Sequence, residues 1–321
     1  MARFILRRLL QMIPLLLGIT FISFAIMKLA PGDFLSQMQA NPQVRPETVI
    51  RLRHVFGLDR PWYIQYFYWL KNALTGNFGY SFAYKQPVFH LIWQYVGATL
   101  LLALTSLVFS WVIAIPMGVY AATHKNSFLD RFISVVAFTG ISLPGFFVAL
   151  VALLWAQKTG WLPTGGMESP NYDMLSAPGK ALDIAEHLIL PTIVLGTREL
   201  ATIMRQMRGN LLDVLNENYV LAARARGLSG RIVIFRHAVR NAINPLITLF
   251  GYDLAGLLAG AALIEYVVSW PGLGRLLLNA VQAQDLYVAM GAFVMGAVLL
   301  ILGNLIADVL LALTDPRIKL S

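Results

Sequence analysis

The sequence predicts an all-α integral membrane protein with six transmembrane helices and both termini in the cytoplasm. Three observations predict it. The 321 residues are 58% hydrophobic and 13% charged, against ~45–50% and ~25% in a soluble globular chain. Six segments, at about 9–29, 98–122, 132–156, 187–207, 242–268 and 287–312, reach the ~20 largely apolar residues a helix needs to cross a hydrocarbon core. Positive charge is unevenly shared between the segments they separate. This composition excludes a disordered chain and argues against an ordinary soluble enzyme. The formal charge of +9 points to contact with anionic lipid or partner surfaces. With no Cys there is no disulfide, thiolate metal site or Cys nucleophile. His54, His90, His124, His187 and His237 are scattered, and none has metal-ligand spacing from another.

The first span follows Arg3, Arg7 and Arg8, and its apolar run is longer than the ~7–15 residues of a secretory signal core. It is expected to be an uncleaved span. An even number of spans puts both ends on one side. With that side inside, the inner segments carry about 14 Lys and Arg; the outer ones carry about four once the long first loop is discounted, so both termini are cytoplasmic. That first outer loop, about 30–97, contains Tyr63, Tyr66, Phe67, Tyr68 and Trp69. From Pro61 to Leu74 the apolar residues recur at helical spacing, with Pro61 suited to a first turn. The pattern fits an interfacial helix that anchors the loop, or a docking surface for an external partner. The loop at about 158–186 is rich in Gly, Pro and Ser and carries little signal.

The fourth span contains Arg198 and Glu199 near its middle, beside Pro191 and Gly196. Each central charge costs ~2.5–3.5 kcal/mol on the insertion scale, and each aliphatic returns only ~0.3–0.6. Its aliphatics do not offset both, so this helix is expected to be enclosed by protein or water. Asp253 in the fifth span, Glu265 near its outer end and Asp308 in the sixth follow the same logic. Arg198, Glu199, Asp253 and Glu265 are candidates to line a translocation pathway; packing between helices is the other reading. Gly256 and Gly260 stand four apart on one face of the fifth span and predict close helix packing.

The inner loop, about 208–241, is the most informative. Asp213 to Arg226 has a helical pattern without Gly or Pro, Gly227 is placed to stop it, and Ser229 is placed to cap the next helix. Small residues and arginines alternate in Ala222-Ala223-Arg224-Ala225-Arg226-Gly227. A short helix of this kind can seat in a groove and pair with acids in its walls, or lie at the interface with its arginines on lipid phosphates. The residues alone do not separate the two.

The run from Tyr219 to Ser229 resembles the cytoplasmic signature of binding-protein-dependent ABC importer permeases, Glu-Ala-Ala, three residues, Gly, nine residues, Ile-x-Leu-Pro. Leu221 replaces the Glu, and His237-Ala238-Val239-Arg240 replaces the last part. Both departures are those of the dipeptide, oligopeptide and nickel branch, whose form Tyr-Val-x-x-Ala-Arg-Ala-Lys/Arg-Gly-Leu is followed by His-Ala-x-Arg-Asn-Ala; here that is His237 to Ala242. Further similar pieces are Arg7-Arg8-Leu9, Leu29-Ala30-Pro31-Gly32-Asp33, Gly57 to Pro61, Gly76 to Ser81, Arg205 with Arg208, Glu265 to Gly274, and Asp315-Pro316-Arg317-Ile318. The long first loop resembles the B-type subunit. One departure is Asp285-Leu286-Tyr287, where the branch has Asp, an aromatic, then Pro; a local change with no change of function is expected.

The resemblance implies the type I ABC importer permease fold in a bacterial inner membrane. It implies a second homologous permease, two cytoplasmic ATPases and an extracytoplasmic substrate-binding protein as partners, besides lipid, and no nucleic acid. The ATPase-coupling loop is then Tyr219, Ala222, Ala223, Arg224, Ala225, Arg226 and Gly227. The expected organisation is a first span with its external loop (1–97), a five-helix permease core (98–312) and a cytoplasmic tail (313–321). No cofactor or metal is expected in this chain, because ATP and Mg belong to the ATPases. Gly179-Lys180-Ala181 lacks the spacing and hydroxyl of a phosphate loop, and the chain is expected to be non-catalytic. The solute expected from the resemblance is a di- or oligopeptide or a related small molecule. An ion-coupled secondary transporter is the competing reading; it suits the intramembrane charges, but no duplicated pattern is visible.

Overall fold

The computed structural model describes residues 2–29, 32–39 and 44–314. They form helices α1 (Ala2–Leu29), α2 (Phe34–Gln39), α3 (Pro46–Val55), α4 (Trp62–Ala73), α5 (Val88–Thr123), α6 (Phe128–Ser142), α7 (Gly145–Thr159) and α8 (Ala177–Leu215). There follow α9 (Asn218–Ala225), α10 (Gly230–Ile232), a π-helical turn (Val233–Ala238), α11 (Val239–Ala242), α12 (Asn244–Val267), α13 (Leu273–Gln282) and α14 (Leu286–Thr314). Among the described residues the strand-like feature is one antiparallel bridge, Tyr80–Pro87. The chain divides into two compact units, Met1–Leu100 with Trp270–Ile301, and Leu101–Ser269 with Leu302–Ser321.

Among the described residues three segments are long and apolar enough to cross a membrane: Leu10–Ser36, Val88–Thr123 and Leu286–Ile306. Two bent pairs raise the number to five: Phe128–Ser142 with Gly145–Thr159, bent by 107°, and Gly230–Ile247 with Tyr252–Val267, bent by 49°. The expected third span, 132–156, is therefore not one straight helix. Leu143 is extended (φ −85, ψ 134) ahead of Pro144, because a residue before proline is pushed out of the helical region. The fourth expected span lies inside α8, which at 39 residues is about 58 Å long. It is long enough to cross, but Arg198 and Glu199 leave it short of the apolarity of the other spans. α8 also begins ahead of its apolar run, at Ala177, because the Ser176 side chain accepts from Gly179 N–H and Pro178 suits a first turn.

In the first unit α1 packs on α4. Phe24, Tyr66, Trp69 and Met290 form a buried cluster there, and the hydroxyls of Thr20 and Tyr66 lie 3.0 Å apart. The helix expected over 61–74 is thus α4, with Tyr66 and Trp69 inward and Trp62, Tyr63, Phe67 and Tyr68 exposed. Trp270 is fully buried and donates from Nε1 to Ala98 O (2.9 Å), while Leu273 N–H donates to Thr99 Oγ1 (2.7 Å). The Trp-Pro-Gly-Leu piece is therefore a clamp on α5. Asp285, also fully buried, accepts from Ser81 Oγ at 2.7 Å and from Ala83 N–H at 3.1 Å.

In the second unit α8 is the axis and packs against α6, α7 and α12. It meets α5 along small and hydroxyl-bearing residues. Thr105 and Thr192 are 3.0 Å apart through their hydroxyls, and Ser110 Oγ donates to Gly196 O at 2.9 Å. A Cβ on Gly196 would lie 2.7 Å from Phe109 and 2.9 Å from Ser110 Oγ; one on Gly118 would lie 2.7 Å from Met207 Cβ. Small residues let helix backbones approach closely, which is how helices pack where no hydrophobic force drives them together. Near the start of α8, the Asp183 carboxylate accepts from the Ser169 hydroxyl and from Ser169 N–H (2.9 Å). These bonds hold it below the usual carboxylate range.

Gly196→Ala is expected to lower stability by roughly 1–3 kcal/mol through overpacking, read as a lower melting temperature in detergent. Gly256→Ala, whose Cβ would meet only Glu199 Oε1 at 3.9 Å, should leave it nearly unchanged. Equal melting temperatures for the two variants would contradict this packing.

Candidate functional site

The sequence predicts one helix from Asp213 to Arg226; the structure has two. α8 ends at Leu215, Asn216 caps it, and Glu217 is extended (φ −69, ψ 143). Asn competes for backbone hydrogen bonds and is a weak helix former, so no Gly or Pro is needed for the break. α9 then starts afresh, with Glu217 O accepting from Val220 and Leu221. Its end is as expected and has a defined geometry. Gly227 has φ +78. Its N–H donates to Arg224 O, and Leu228 N–H donates to Ala223 O; these two bonds make the Schellman cap that favours glycine. A Cβ at Gly227 would meet nothing within 4 Å in this chain, so backbone conformation, not internal space, selects glycine. Ser229 occupies the position before α10, but its side chain accepts no capping bond there.

α9 has two distinct faces. Val220 is fully buried and Ala223 nearly so, packed with Met207 and Leu211 of α8, Val233 and Ala238 of the π turn, Ala242 of α11 and Leu246 of α12. Tyr219, Ala222, Arg224, Ala225, Arg226 and Gly227 are exposed. Of the expected loop residues, then, Ala223 faces the chain's own core and the others face out. Tyr219, Ala222 and Arg226 follow the i, i+3, i+7 spacing of one helix stripe. Tyr219 is further tied down: Asn241 Nδ2 donates to its hydroxyl at 2.7 Å, which joins the two halves of the loop motif. Asn210 Nδ2 donates to Ala242 O (3.2 Å), linking α8 to α11.

Asp130 is the residue that sequence reasoning missed. It is 2% exposed and accepts from Arg208 through Nε (2.7 Å) and Nη2 (2.9 Å), and from Asn126 N–H (2.9 Å). This bidentate pair fixes the start of α6 to α8, about two turns before α8 ends. Arg208 is visible as part of the loop signature; its partner 78 residues earlier has no local pattern. The π turn is equally silent, because it differs from an α-helix only in hydrogen-bond register.

The charges of the expected spans separate into groups. Glu199 of α8 and Asp253 of α12 lie within electrostatic reach of each other. Asp253 Oδ2 is buried, with the Trp111 indole beside it. Gly256, one turn beyond Asp253, brings α12 close to Glu199 Oε1. Arg198 points to the exposed side of α8. Glu265 is fully buried but lies about 18 Å further along α12, so it belongs to a different level. Asp308 is half-buried. Gly256 is exposed within this chain; the surroundings of Gly260, like Ala30-Pro31 and Asp315 to Ile318, lie outside the described residues.

The chain is similar to known proteins along nearly its whole length. Residues 114–320 match the family model described as binding-protein-dependent transport system inner membrane component, and residues 1–105 match the corresponding N-terminal model. The oligopeptide transport system permease protein AppB of Bacillus subtilis is 41% identical, covering 99% of this chain and 100% of that protein. The di/tripeptide transport system permease protein DppB of Pseudomonas aeruginosa is 38% identical, and the dipeptide transport system permease protein DppB of Escherichia coli K12 is 37% identical, each covering 99% of both chains. Among solved structures, a chain of the MetNI methionine ABC transporter in an inward-facing conformation is similar in fold. Its TM-score is 0.51 at 17% identity, covering 69% of this chain and 96% of that one. Joined to the membrane-crossing helices and the loop built on α9, these matches show that the chain belongs to the family of inner membrane components of binding-protein-dependent transport systems.

Proposed function

We propose that this chain is one of two transmembrane permeases of an ATP-driven importer that carries di- or oligopeptides released by an external binding protein. The observation that carries the reading is full-length similarity, at 37–41% identity, to permeases named for oligopeptide and dipeptide transport. The likeness of fold to a methionine ABC transporter supports it. The chain contributes the path and the mechanical link, while ATP and Mg are handled by two ATPase subunits. In this reading α1, α5, the broken pair α6–α7, α8, α12 and α14 are six crossings, with both ends cytoplasmic. Gly256 and Gly260 face the second permease, and Glu199 and Asp253 line the path, with Arg198 at the same level on another face of α8 and Glu265 at a different level.

The coupling step follows from the two faces of α9. The ATPase receives the outward stripe of Tyr219, Ala222 and Arg226, and Arg224 adds charge at the rim, where an exposed pair contributes little. Displacement of that stripe is passed inward by Val220 and Ala223 to the end of α8, and by Tyr219 and Asn241 to α11 and α12. Side chains packed at interior density transmit strain instead of absorbing it. The Schellman cap at Gly227 keeps the stripe in register.

Membrane vesicles containing the assembled transporter, supplied with ATP, binding protein and a protonophore, should take up a labelled dipeptide. Gly227→Leu forces a branched side chain into the left-handed region at ~1–2 kcal/mol, and should lose uptake and ATPase stimulation while inserting normally. Gly227→Asn, which tolerates that conformation, should keep most of both. Full activity in Gly227→Leu would contradict the coupling role. Uptake that ignores ATP but fails with protonophore would instead establish an ion-coupled carrier.

Topology is testable in the native background, which has no Cys. Leu74 and Met174 are 81% and 91% exposed. Leu74→Cys and Met174→Cys should react with an impermeant maleimide from outside, and Ser229→Cys only from inside. Inside labelling at position 174 would make α6–α7 a re-entrant pair and contradict the six crossings.

A further inference from the structure

Between α6 and α8, which pack together, a small groove of about 90 Å³ stays open. That is far below the ~300–1,000 Å³ of a site for a whole solute, so the groove has room for part of a chain-like group. One wall is a single face of α6: Ser134, Ala137, Phe138 and Ile141 line it at the i, i+3, i+4, i+7 spacing of one helix side. The other wall is α8, with Arg205 and Arg208. On α6 the Phe138 ring at the rim and the neighbouring Phe132 and Val135 are exposed. The groove therefore opens onto an apolar surface that the described residues leave uncovered.

The two arginines are not equivalent. Arg208 is held by Asp130 through Nε and Nη2. Arg205, about one turn nearer the middle of α8, is exposed and has no hydrogen-bond or ion-pair partner among the described residues. Arg131 also lies within electrostatic reach of Asp130. Three guanidinium groups thus stand near one carboxylate, and the mouth of the groove is left positive. Arg205 lies about 10 Å along α8 from Arg198, the middle of the expected span, and close to the end of that span at 207. Its long stem can rest on apolar surface while the guanidinium reaches the polar boundary, the level at which lipid headgroups begin.

We propose that this groove holds an anionic phospholipid of the cytoplasmic leaflet, with its phosphate on Arg205 and one acyl chain running along Ala137, Phe138 and Ile141. A guanidinium matches phosphate with a fork of donors, and basic pockets between membrane-spanning helices on the cytoplasmic side are a recurrent form of headgroup site. A free phosphate would use only the charge, and an apolar helix of the second permease only the strip on α6; a phospholipid joins the two in one molecule. The proposal rests on α6 and α8 crossing the membrane with Arg205 toward the cytoplasm. The maleimide labelling at positions 174 and 229 tests that topology without reference to lipid.

The full chain, assembled with its partner subunits and stripped of lipid in a non-ionic detergent, is titrated with phosphatidylglycerol and with phosphatidylcholine of the same acyl chains, and bound lipid is counted by native mass spectrometry. One phosphatidylglycerol should bind about fivefold more tightly than phosphatidylcholine, as one arginine at an anionic surface contributes. Arg205→Gln, at an exposed position that leaves the Asp130–Arg208 pair intact, should bring the two lipids to equal affinity. Ser134→Phe, which fills the groove, should weaken both. Arg231→Gln removes the same charge from an exposed position outside the groove and should change neither. A preference that survives Arg205→Gln, or that falls equally in Arg231→Gln, would overturn the site and leave a diffuse basic surface. Competition by glycerol phosphate at equal concentration would replace the lipid with a free phosphate. Binding by the chain alone that disappears on assembly would give the groove to the second permease instead.

Discussion

The second unit is organised by one constraint: a helix carrying Glu199 in its middle has to be covered on that side, while Arg198 beside it faces out of this chain. α8 meets it by letting neighbours approach its backbone. Gly196 admits Phe109 and Ser110 of α5, and Gly140 of α6 closes on Thr197, where an added Cβ would stand 3.1 Å away. Hydroxyls of Thr105, Ser110 and Thr192 supply the polar contacts. Such interhelical bonds average only ~0.6 kcal/mol in membranes, so the seam depends on close fit. Once α8 is fixed in this way, the ion pair of Asp130 with Arg208 carries the same registration toward its C-terminal end. From Arg208 it is a short step, about three helical turns of chain, to Asn218, where α9 begins.

The first unit depends on different contacts. Its aromatic helix α4 is held against α1 by Tyr66 and Trp69, Trp270 is sunk against Ala98, and Asp285 gathers Ser81 and Ala83. These contacts explain why pieces of sequence far apart in the chain, Gly76 to Ser81 and Trp270 to Gly274, belong to one signature: each is a turn that has to meet a fixed partner in the same unit.

The features legible in sequence are those with a local cause. Helical periodicity locates α4, hydropathy locates α1, α5 and α14, and the stop at Gly227 follows from the need for φ +78. The features that are not legible depend on geometry. The break at Asn216-Glu217 carries no Gly or Pro. The bend at Leu143-Pro144 has a local cause in its proline, but Pro14, Pro116 and Pro191 lie inside unbroken helices, so a proline alone does not announce a bend. Asp130 finds Arg208 across 78 residues. Ala223, which composition groups with Ala222, faces the opposite way because one residue along a helix is a rotation of about 100°. In the candidate path, Glu199 and Asp253 are brought near each other; the spacing of charges along separate helices carries no information on which levels coincide.

The central claim is that α9 has one face for the ATPase and one keyed to α8. The direct measurement is disulfide or bifunctional cross-linking from single cysteines at positions 222 and 223, in the assembled transporter, to cysteines placed on the ATPase surface. The account predicts efficient cross-linking from Ala222→Cys and little from Ala223→Cys. Equal cross-linking from both positions, or capture from position 223 alone, would contradict it.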